Sequence, residues 1–356
     1  MIYISIIIPA HNSADTLPRL LRSIVAEKPK NTEIIIIDDA SKEELRIKEL
    51  KNLRMRIFHL KTNRGPAYAR NFGAKKARGE VLLFLDSDVV VLPGTITEVV
   101  KIFQEDKYRV AATGVWDKQQ NSHKFFPKFK ALRDWSYWVN EKKIDSYYYL
   151  FSTRIAAIRK DVFLALGGFK ENYSGADVED IEFTYRLARK YRIDFDQNMR
   201  VHHEFENFWP IAKKYFKRAY QWVEIFQNRK KFDPVATTGT EAITTLSAVG
   251  LVGSLVLFLI ALSIVNLQNL LFVICLFFFV MHLIGVHKFL LFVYKEEGLI
   301  FTIKAFFVGI ALYVFIFAGA LWGILKRIRH SGPSVLSPSV LSSGSKDSGS
   351  KDLSRI

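Results

Sequence analysis

From Ala242 to Met281 the chain carries no charged residue, and from Ala305 to Leu325 it carries none again. A soluble domain does not accommodate uncharged stretches of that length, whereas a bilayer takes about 20 apolar residues for each helical crossing. Asn266-Leu267-Gln268-Asn269 divides the longer run into two lengths of that size. We therefore expect a transmembrane region over 242–325 with about three spans, at 242–265, 270–287 and 305–325, and an interfacial stretch between the last two. Whole-chain averages hide this division: mean hydropathy is +0.09 and the hydrophobic share 49%. Of the net charge of +16, +11 lies in residues 1–241, which hold 42 basic and 31 acidic residues.

The globular part is of ordinary domain size. A single cysteine excludes a disulfide scaffold and a cysteine-ligated zinc site. Neither G-x-G-x-x-G nor G-x-x-x-x-G-K-[ST] occurs, so no glycine-rich cradle holds a phosphate. The opening residues lack the basic flank and small-residue cleavage site of a secretory signal. The globular part is accordingly expected to stay on the side where it is made, in the cytoplasm. Residues 208–241 mix aromatics (Trp209, Tyr215, Trp222) with Lys213, Lys214, Lys217 and Arg218, and read as amphipathic juxtamembrane helices. The Ser-rich tail, 326–356, is expected to be disordered. Nucleic-acid binding has only the net charge in its favour, and the basic excess sits next to the membrane block.

Residues 1–120 alternate strand-like and helix-like segments. Ile4–Ile8, Glu33–Ile37, Arg56–Leu60 and Val81–Leu85 are apolar runs, separated by amphipathic stretches such as Ala14–Val25, a charged helix from about Ser41 and a helix opened by Gly65-Pro66. Runs apolar on both faces belong to buried parallel strands, and the alternation predicts a doubly wound α/β sheet. Two of the strands end in acids: Asp38-Asp39 after the second and Asp86-Ser87-Asp88 after the fourth. In such a sheet the carboxyl ends line one crevice. Four carboxylates brought together there repel one another unless a cation joins them, which fits a hard divalent ion shared with a diphosphate. A third acidic cluster, Asp177-Val178-Glu179-Asp180, opens a helix, with Asp177 suited to the N-cap. A carboxylate there can serve as general base on an acceptor hydroxyl. Of His202 and His203, at the end of a short strand, one is suited to completing a metal shell.

Taken in order, these pieces resemble the family-2 glycosyltransferases, which have the nucleotide-sugar transferase (GT-A) fold: Ile6-Ile7-Ile8-Pro9-Ala10-His11-Asn12, Ile36-Ile37-Asp38-Asp39-Ala40-Ser41, Asn63-Arg64-Gly65 with Ala69-Arg70-Asn71, Asp86-Ser87-Asp88, Gly167-Gly168-Phe169, Glu179-Asp180 and His202. The resemblance implies a GT-A catalytic domain over 1–207 and a set of roles. Pro9, Ala10 and Asp39 hold the nucleobase and Asp86, followed by Ser87, the ribose. Arg70 neutralises phosphate, and Asp88 binds Mn2+ or Mg2+ with help from His202. Asp180 is the base of an inverting displacement. The processive Gln-x-x-Arg-Trp motif is absent; the nearest stretch is Arg218-Ala219-Tyr220-Gln221-Trp222, where Arg218 stands in reach of the diphosphate. The resemblance thus implies transfer of a sugar from a nucleotide-diphosphate sugar to a hydroxyl of a lipid-linked or cell-surface glycan acceptor. Its competitors are transfer to polyprenyl phosphate, whose anionic acceptor needs no base, and a non-enzymatic membrane protein with a degenerate domain.

Overall fold

The computed structural model describes residues 2–43, 45, 54–141, 149–172, 178–229, 238–261 and 265–330. Eight strands form one sheet: β1 (Ile4–Ala10), β2 (Thr32–Asp38), β3 (Met55–His59), β4 (Val81–Leu85), β5 (Val89–Val91), β6 (Ala111–Trp116), β7 (Ile155–Arg159) and β8 (Ile193–His203). Their order is β3-β2-β1-β4-β7-β6-β8-β5. The first four are parallel, as the alternation predicts. The second half of the sheet is mixed: β7 is antiparallel to both β4 and β6, β6 and β8 are parallel, and β5 is antiparallel to β8.

The isoleucine runs are explained by burial on both sides. Ile6, Ile8, Ile34 and Ile36 pack with Leu17, Leu20, Leu21 and Ile24 of α1 (Leu17–Ala26). Ile7, Ile35 and Ile37 pack on the other face with Ala67, Ala69 and Ala74 of α2 (Pro66–Lys76). The helices α3 (Thr95–Glu105), α4 (Phe125–Ser136, prolonged by a π turn over Tyr137–Glu141), α5 (Lys160–Ala165) and α6 (Glu179–Leu187) complete the domain. Parallel registry sets Ala10 beside Asp38, so the residues that follow β1, β2 and β4 share one rim. At the β6–β8 junction the register shifts at Gly114, where an added Cβ would lie 2.0 Å from the Met199 carbonyl oxygen. Only glycine permits that approach, and beyond it Trp116 and His203 reach the rim.

α7 (Phe208–Arg229) is a single helix and does not float free. Phe208 meets Phe126 of α4 at a ring separation of 5.3 Å, and Ile211 and Ala212 join the same cluster. Three helices, α8 (Gly239–Ile260), α9 (Val265–Glu297) and α10 (Leu299–His330), are long and apolar enough to cross a membrane and fit a transmembrane region. α8 and α9 form a hairpin in which Gly250 abuts Phe278 and Gly285 abuts Thr244. The stretch expected to be interfacial is helical: α9 runs on through Glu297, and Gly298, with φ of +81°, turns the chain into α10. Glu296 and Glu297 pair with Lys118 and Lys128 of the catalytic domain at 2.5 and 2.7 Å. α10 then runs along that domain, with Phe301 on Phe125 (4.6 Å), Phe315 on Phe208 (6.0 Å) and Lys326 bonded to the Tyr220 hydroxyl (3.1 Å). It continues past 326, where the tail was expected to begin, to His330. The expected helix from Ser41, the Asp177 cap and the tail beyond 330 lie outside the described residues.

Candidate active site

Nine of the residues singled out from sequence line one cavity of about 1050 Å³: Pro9, Ala10, Asp39, Arg70, Asp86, Ser87, Asp88, Asp180 and Arg218. They come from six separate segments of chain: the ends of β1, β2 and β4, and the helices α2, α6 and α7.

Within this rim the acids do different work. Asp39 is buried, and its two oxygens accept the backbone N–H groups of Arg64 and Gly65, each at 2.7 Å. It thereby fixes the loop that opens α2 against the end of β2. Asp38 turns away from the cavity, contrary to the expectation of four converging carboxylates. It accepts the Ser41 backbone N–H at 3.0 Å and pairs with His59 at 2.9 Å. Adjacent residues at a strand end face opposite sides, so only one of the pair reaches the crevice. Ser87 is bonded to Ser13 at 2.8 Å, which ties the Asp86–Asp88 turn to the loop after β1.

Arg70, expected from sequence to lie on phosphate, is buried and bridges two carboxylates instead: Asp86 at 2.7 Å and Glu179 at 3.0 Å. The cost of burying the guanidinium is met by these two charges, and their sum leaves Arg70 more firmly protonated than usual. Its role in the fold is to lock the start of α6 to the end of β4. Asp180, next along α6, is thereby aimed into the cavity. Burial, then the charge of Glu179, pushes the Asp180 carboxyl up to about 7, against the pull of Arg218 and Arg70.

Asp88 meets His203, not His202: His203 Nε2 lies 3.2 Å from the Asp88 carboxylate. His202 points to the other side of the strand and pairs with Glu204 at 2.7 Å. The reason is registry: β5 and β8 are antiparallel with His203 opposite Val89, which places it beside Asp88, and alternation then carries His202 away. Among the described residues no three His, Cys, Asp or Glu side chains are grouped for a metal. Asp88 and His203 nonetheless fit one, because they offer an oxygen and an imidazole nitrogen at a half-exposed rim, where a diphosphate and water can supply the remaining donors.

Several cavity residues went unmarked in the sequence. Lys130, Arg133 and Asp134 of α4, Trp116 at the end of β6, and Arg154 before β7 all line it. Lys130 is buried and ion-paired with Asp134, and Arg133 reaches Glu141 at 2.7 Å and Glu241 of α8 at 2.9 Å. The aromatic and lysine-rich texture of 116–150 was the available signal for the first four; Arg154 had none.

Residues 5–164 match the family model described as Glycosyl transferase family 2. An uncharacterized glycosyltransferase of Haemophilus influenzae is 26% identical over 197 residues, 52% of this chain and 62% of that protein. The succinoglycan biosynthesis protein ExoO of Rhizobium meliloti is 33% identical over 100 residues, 28% of this chain and 29% of its own length. The chain thus spans less than two thirds of each of these relatives. Among solved structures, the mannosyltransferase PcManGT from Pyrobaculum calidifontis, in complex with GDP-Man and Mn2+, superposes with a TM-score of 0.57 at 15% identity, over 92% of this chain and 88% of that one. That likeness shows the fold: the sheet with its flanking helices matches a GT-A domain. The chain carries, more specifically, a family-2 glycosyltransferase domain.

Proposed function

We propose that this protein is a membrane-anchored, inverting, metal-dependent glycosyltransferase. It moves a sugar from a nucleotide-diphosphate sugar to a hydroxyl of a lipid-linked or cell-surface glycan acceptor, with its catalytic domain on the cytoplasmic face. One observation carries this reading: Asp39, Asp86 and Asp88 on the strand rim and Asp180 on α6 line a single cavity, with Arg218 beside them. The names of ExoO and of PcManGT with its GDP-Man and Mn2+ are in keeping with it.

Pro9, Ala10 and the loop held by Asp39 receive the nucleobase, Asp86 the ribose and Arg218 the diphosphate. Asp88 and His203 hold the divalent ion, which when bound offsets charge on the leaving diphosphate. Arg70 is a positioning residue, since among the described residues its ion pairs are with Asp86 and Glu179. Asp180 takes the proton of the acceptor hydroxyl. The freed oxygen lone pair forms the new bond to the anomeric carbon from the face opposite the diphosphate. The bond between that carbon and the diphosphate oxygen breaks, the nucleoside diphosphate leaves with its electron pair, and the anomeric configuration inverts. The test is transfer from a panel of radiolabelled nucleotide-sugars by detergent-solubilised protein, for Asp88→Ala and Asp180→Ala against the parent. Loss in both is expected; a variant that retains transfer removes its residue from the mechanism.

A further inference from the structure

On the side of β6, the end of β8 is held by a side chain. β6 stops with Trp116 opposite Val201, and the Asp117 backbone N–H donates to the Val201 carbonyl at 2.8 Å. β8 itself runs on to His203. Backbone groups past the end of a partner strand still need partners. The amide of Gln120 supplies them: its Nε2 donates to the His203 carbonyl at 2.8 Å, and its Oε1 accepts the Phe205 backbone N–H at 2.9 Å. In a parallel ladder these are the two bonds that the main chain two residues past Asp117 would make. The other amide proton goes to the Gln119 carbonyl, also at 2.8 Å. A donor at Phe205 and an acceptor at His203 leave the amide one orientation.

The residue so held is the one that meets Asp88. His203 Nε2 lies 3.2 Å from the Asp88 carboxylate, while its Nδ1 is buried without a hydrogen-bond partner. A metal-binding imidazole is ordinarily aimed by a bond from its second nitrogen to a carboxylate or carbonyl. His203 lacks that bond, so its backbone and its packing aim the ring. Trp116 lies against it at a ring separation of 5.5 Å, and Phe205 meets it edge-on at 5.0 Å. Phe205 is the second residue whose backbone Gln120 holds. On the opposite edge β5 sets Val89 beside His203, and Gln120 closes the other. Its own segment is anchored on both sides of it. Lys118 pairs with Glu296 of α9 at 2.5 Å, and the Asn121 backbone N–H donates to the Glu204 carboxylate at 2.9 Å.

We propose that Gln120 is a positioning residue of the ion site: by continuing the β6–β8 ladder with its side chain, it holds His203 in the register that brings Nε2 to Asp88. This deepens the reading above and rests on it for the divalent ion. The role requires a donor and an acceptor at glutamine's reach. Gln120→Met keeps the length and loses both groups; Gln120→Asn keeps both groups one methylene short.

Mn2+ binding to the full chain in detergent, without nucleotide, is read from the free-ion signal in electron paramagnetic resonance. Gln120→Met is expected to weaken Mn2+ by about 10–100-fold, the range for losing an outer support of a metal ligand, and Gln120→Asn by less. Gln119→Ala removes an exposed side chain and keeps the carbonyl, so its Mn2+ affinity should stay within about twofold of the parent's. Binding of a panel of nucleoside diphosphates in EDTA separates positioning from general damage. It should be unchanged in Gln120→Met, because Asp39, Asp86 and Arg218 stand on other elements. If Gln120→Met does not unfold cooperatively, the milder Gln120→Asn decides. Parent-like Mn2+ affinity overturns the proposal. So does an equal loss of Mn2+ and of nucleoside diphosphate in EDTA, which makes Gln120 a support of the whole rim. Parent-like Mn2+ binding by Asp88→Asn is a different failure: it puts the ion elsewhere, and removes the ion site of the reading above together with the role of Gln120.

Discussion

Asp180 is under opposed demands. Burial and Glu179 hold its carboxyl near 7, while Arg218 and Arg70 keep it from rising further. A base of that strength is well matched to neutral pH. Transfer needs the ionised form, so kcat/KM should rise with pH through about 7 and level off above it; a profile flat from acid to alkaline counts against Asp180 as the base. Stability runs the other way. The folded state holds this proton more tightly than the unfolded chain does, so the group's contribution is full below its ordinary value of 3.8 and is lost as pH rises through about 7. Asp180→Asn should therefore lose about 10²–10⁴-fold in transfer. Its melting temperature at pH 8 should exceed the parent's by an amount that shrinks toward pH 5, read in parallel thermal scans. Arg70 gives the converse case. Arg70→Met removes the cation that Asp86 and Glu179 share, and unfolding in denaturant should show a loss of about 3–5 kcal/mol. Adding Glu179→Gln should recover part of it, because the two residues share one interaction.

Elements whose register is set by neighbours next to them in sequence were legible in advance; those set by distant partners were not. All-apolar runs such as Ile34–Ile37 and Val81–Leu85 have to be buried on both faces, so acids directly after them have to stand on the rim. That logic placed Asp39, Asp86 and Asp88. It did not place Asp38, because only the strand's pleat decides which of two adjacent acids looks inward. Nor could it choose between His202 and His203, since the choice depends on how β8 registers against β5, a contact across more than a hundred residues. Arg154 precedes an ordinary-looking strand, and nothing local shows that its partner acids are absent. The small residues of α10 were invisible for the same reason. Gly319 and Gly323 read as unremarkable members of an apolar run, yet a Cβ at 319 would lie 2.2 Å from the Phe216 carbonyl oxygen of α7. Gly319→Leu should therefore part α7 from α10 at a cost of about 1–3 kcal/mol. Because Arg218 and Ala219 of α7 line the cavity, and Arg218 is assigned to the diphosphate, acceptor KM and nucleotide-sugar KM should both rise. Gly253→Ala is the control: nothing lies within 4 Å of its added Cβ, so stability should be unchanged or slightly improved. Equal effects of the two substitutions on melting temperature and acceptor KM would remove the packing argument.

The molecule as a whole turns on where α10 lies. Its composition led to the expectation of a third span over 305–325; a full crossing sends Lys326, Arg327 and Arg329 to the far side, and a re-entrant segment keeps them inside. Its contacts argue against a crossing. From Phe301 to Lys326 the helix covers about 37 Å at 1.5 Å per residue, more than the ~30 Å thickness of a bilayer's hydrocarbon. Yet the first of these residues touches Phe125 of the catalytic domain and the last bonds Tyr220 of α7. For α10 to stand across the membrane, α7 would have to enter it as well, with Lys213, Lys214, Lys217 and Arg218 in the hydrocarbon, which is costly. An interfacial α10 satisfies both sets of facts. Its outward residues, Ile303, Phe307, Trp322 and Ile328, enter the acyl region, while its other side stays on α4 and α7. On that arrangement we expect two crossings, by α8 and α9, with residue 326 on the catalytic side. This predicts the outcome of cysteine labelling in a Cys275→Ser background, with Tyr108→Cys on the catalytic domain and Lys326→Cys on α10. A membrane-impermeant maleimide should modify both in vesicles of one orientation and neither in vesicles of the other. If Lys326→Cys reacts only where Tyr108→Cys is protected, α10 is a third span.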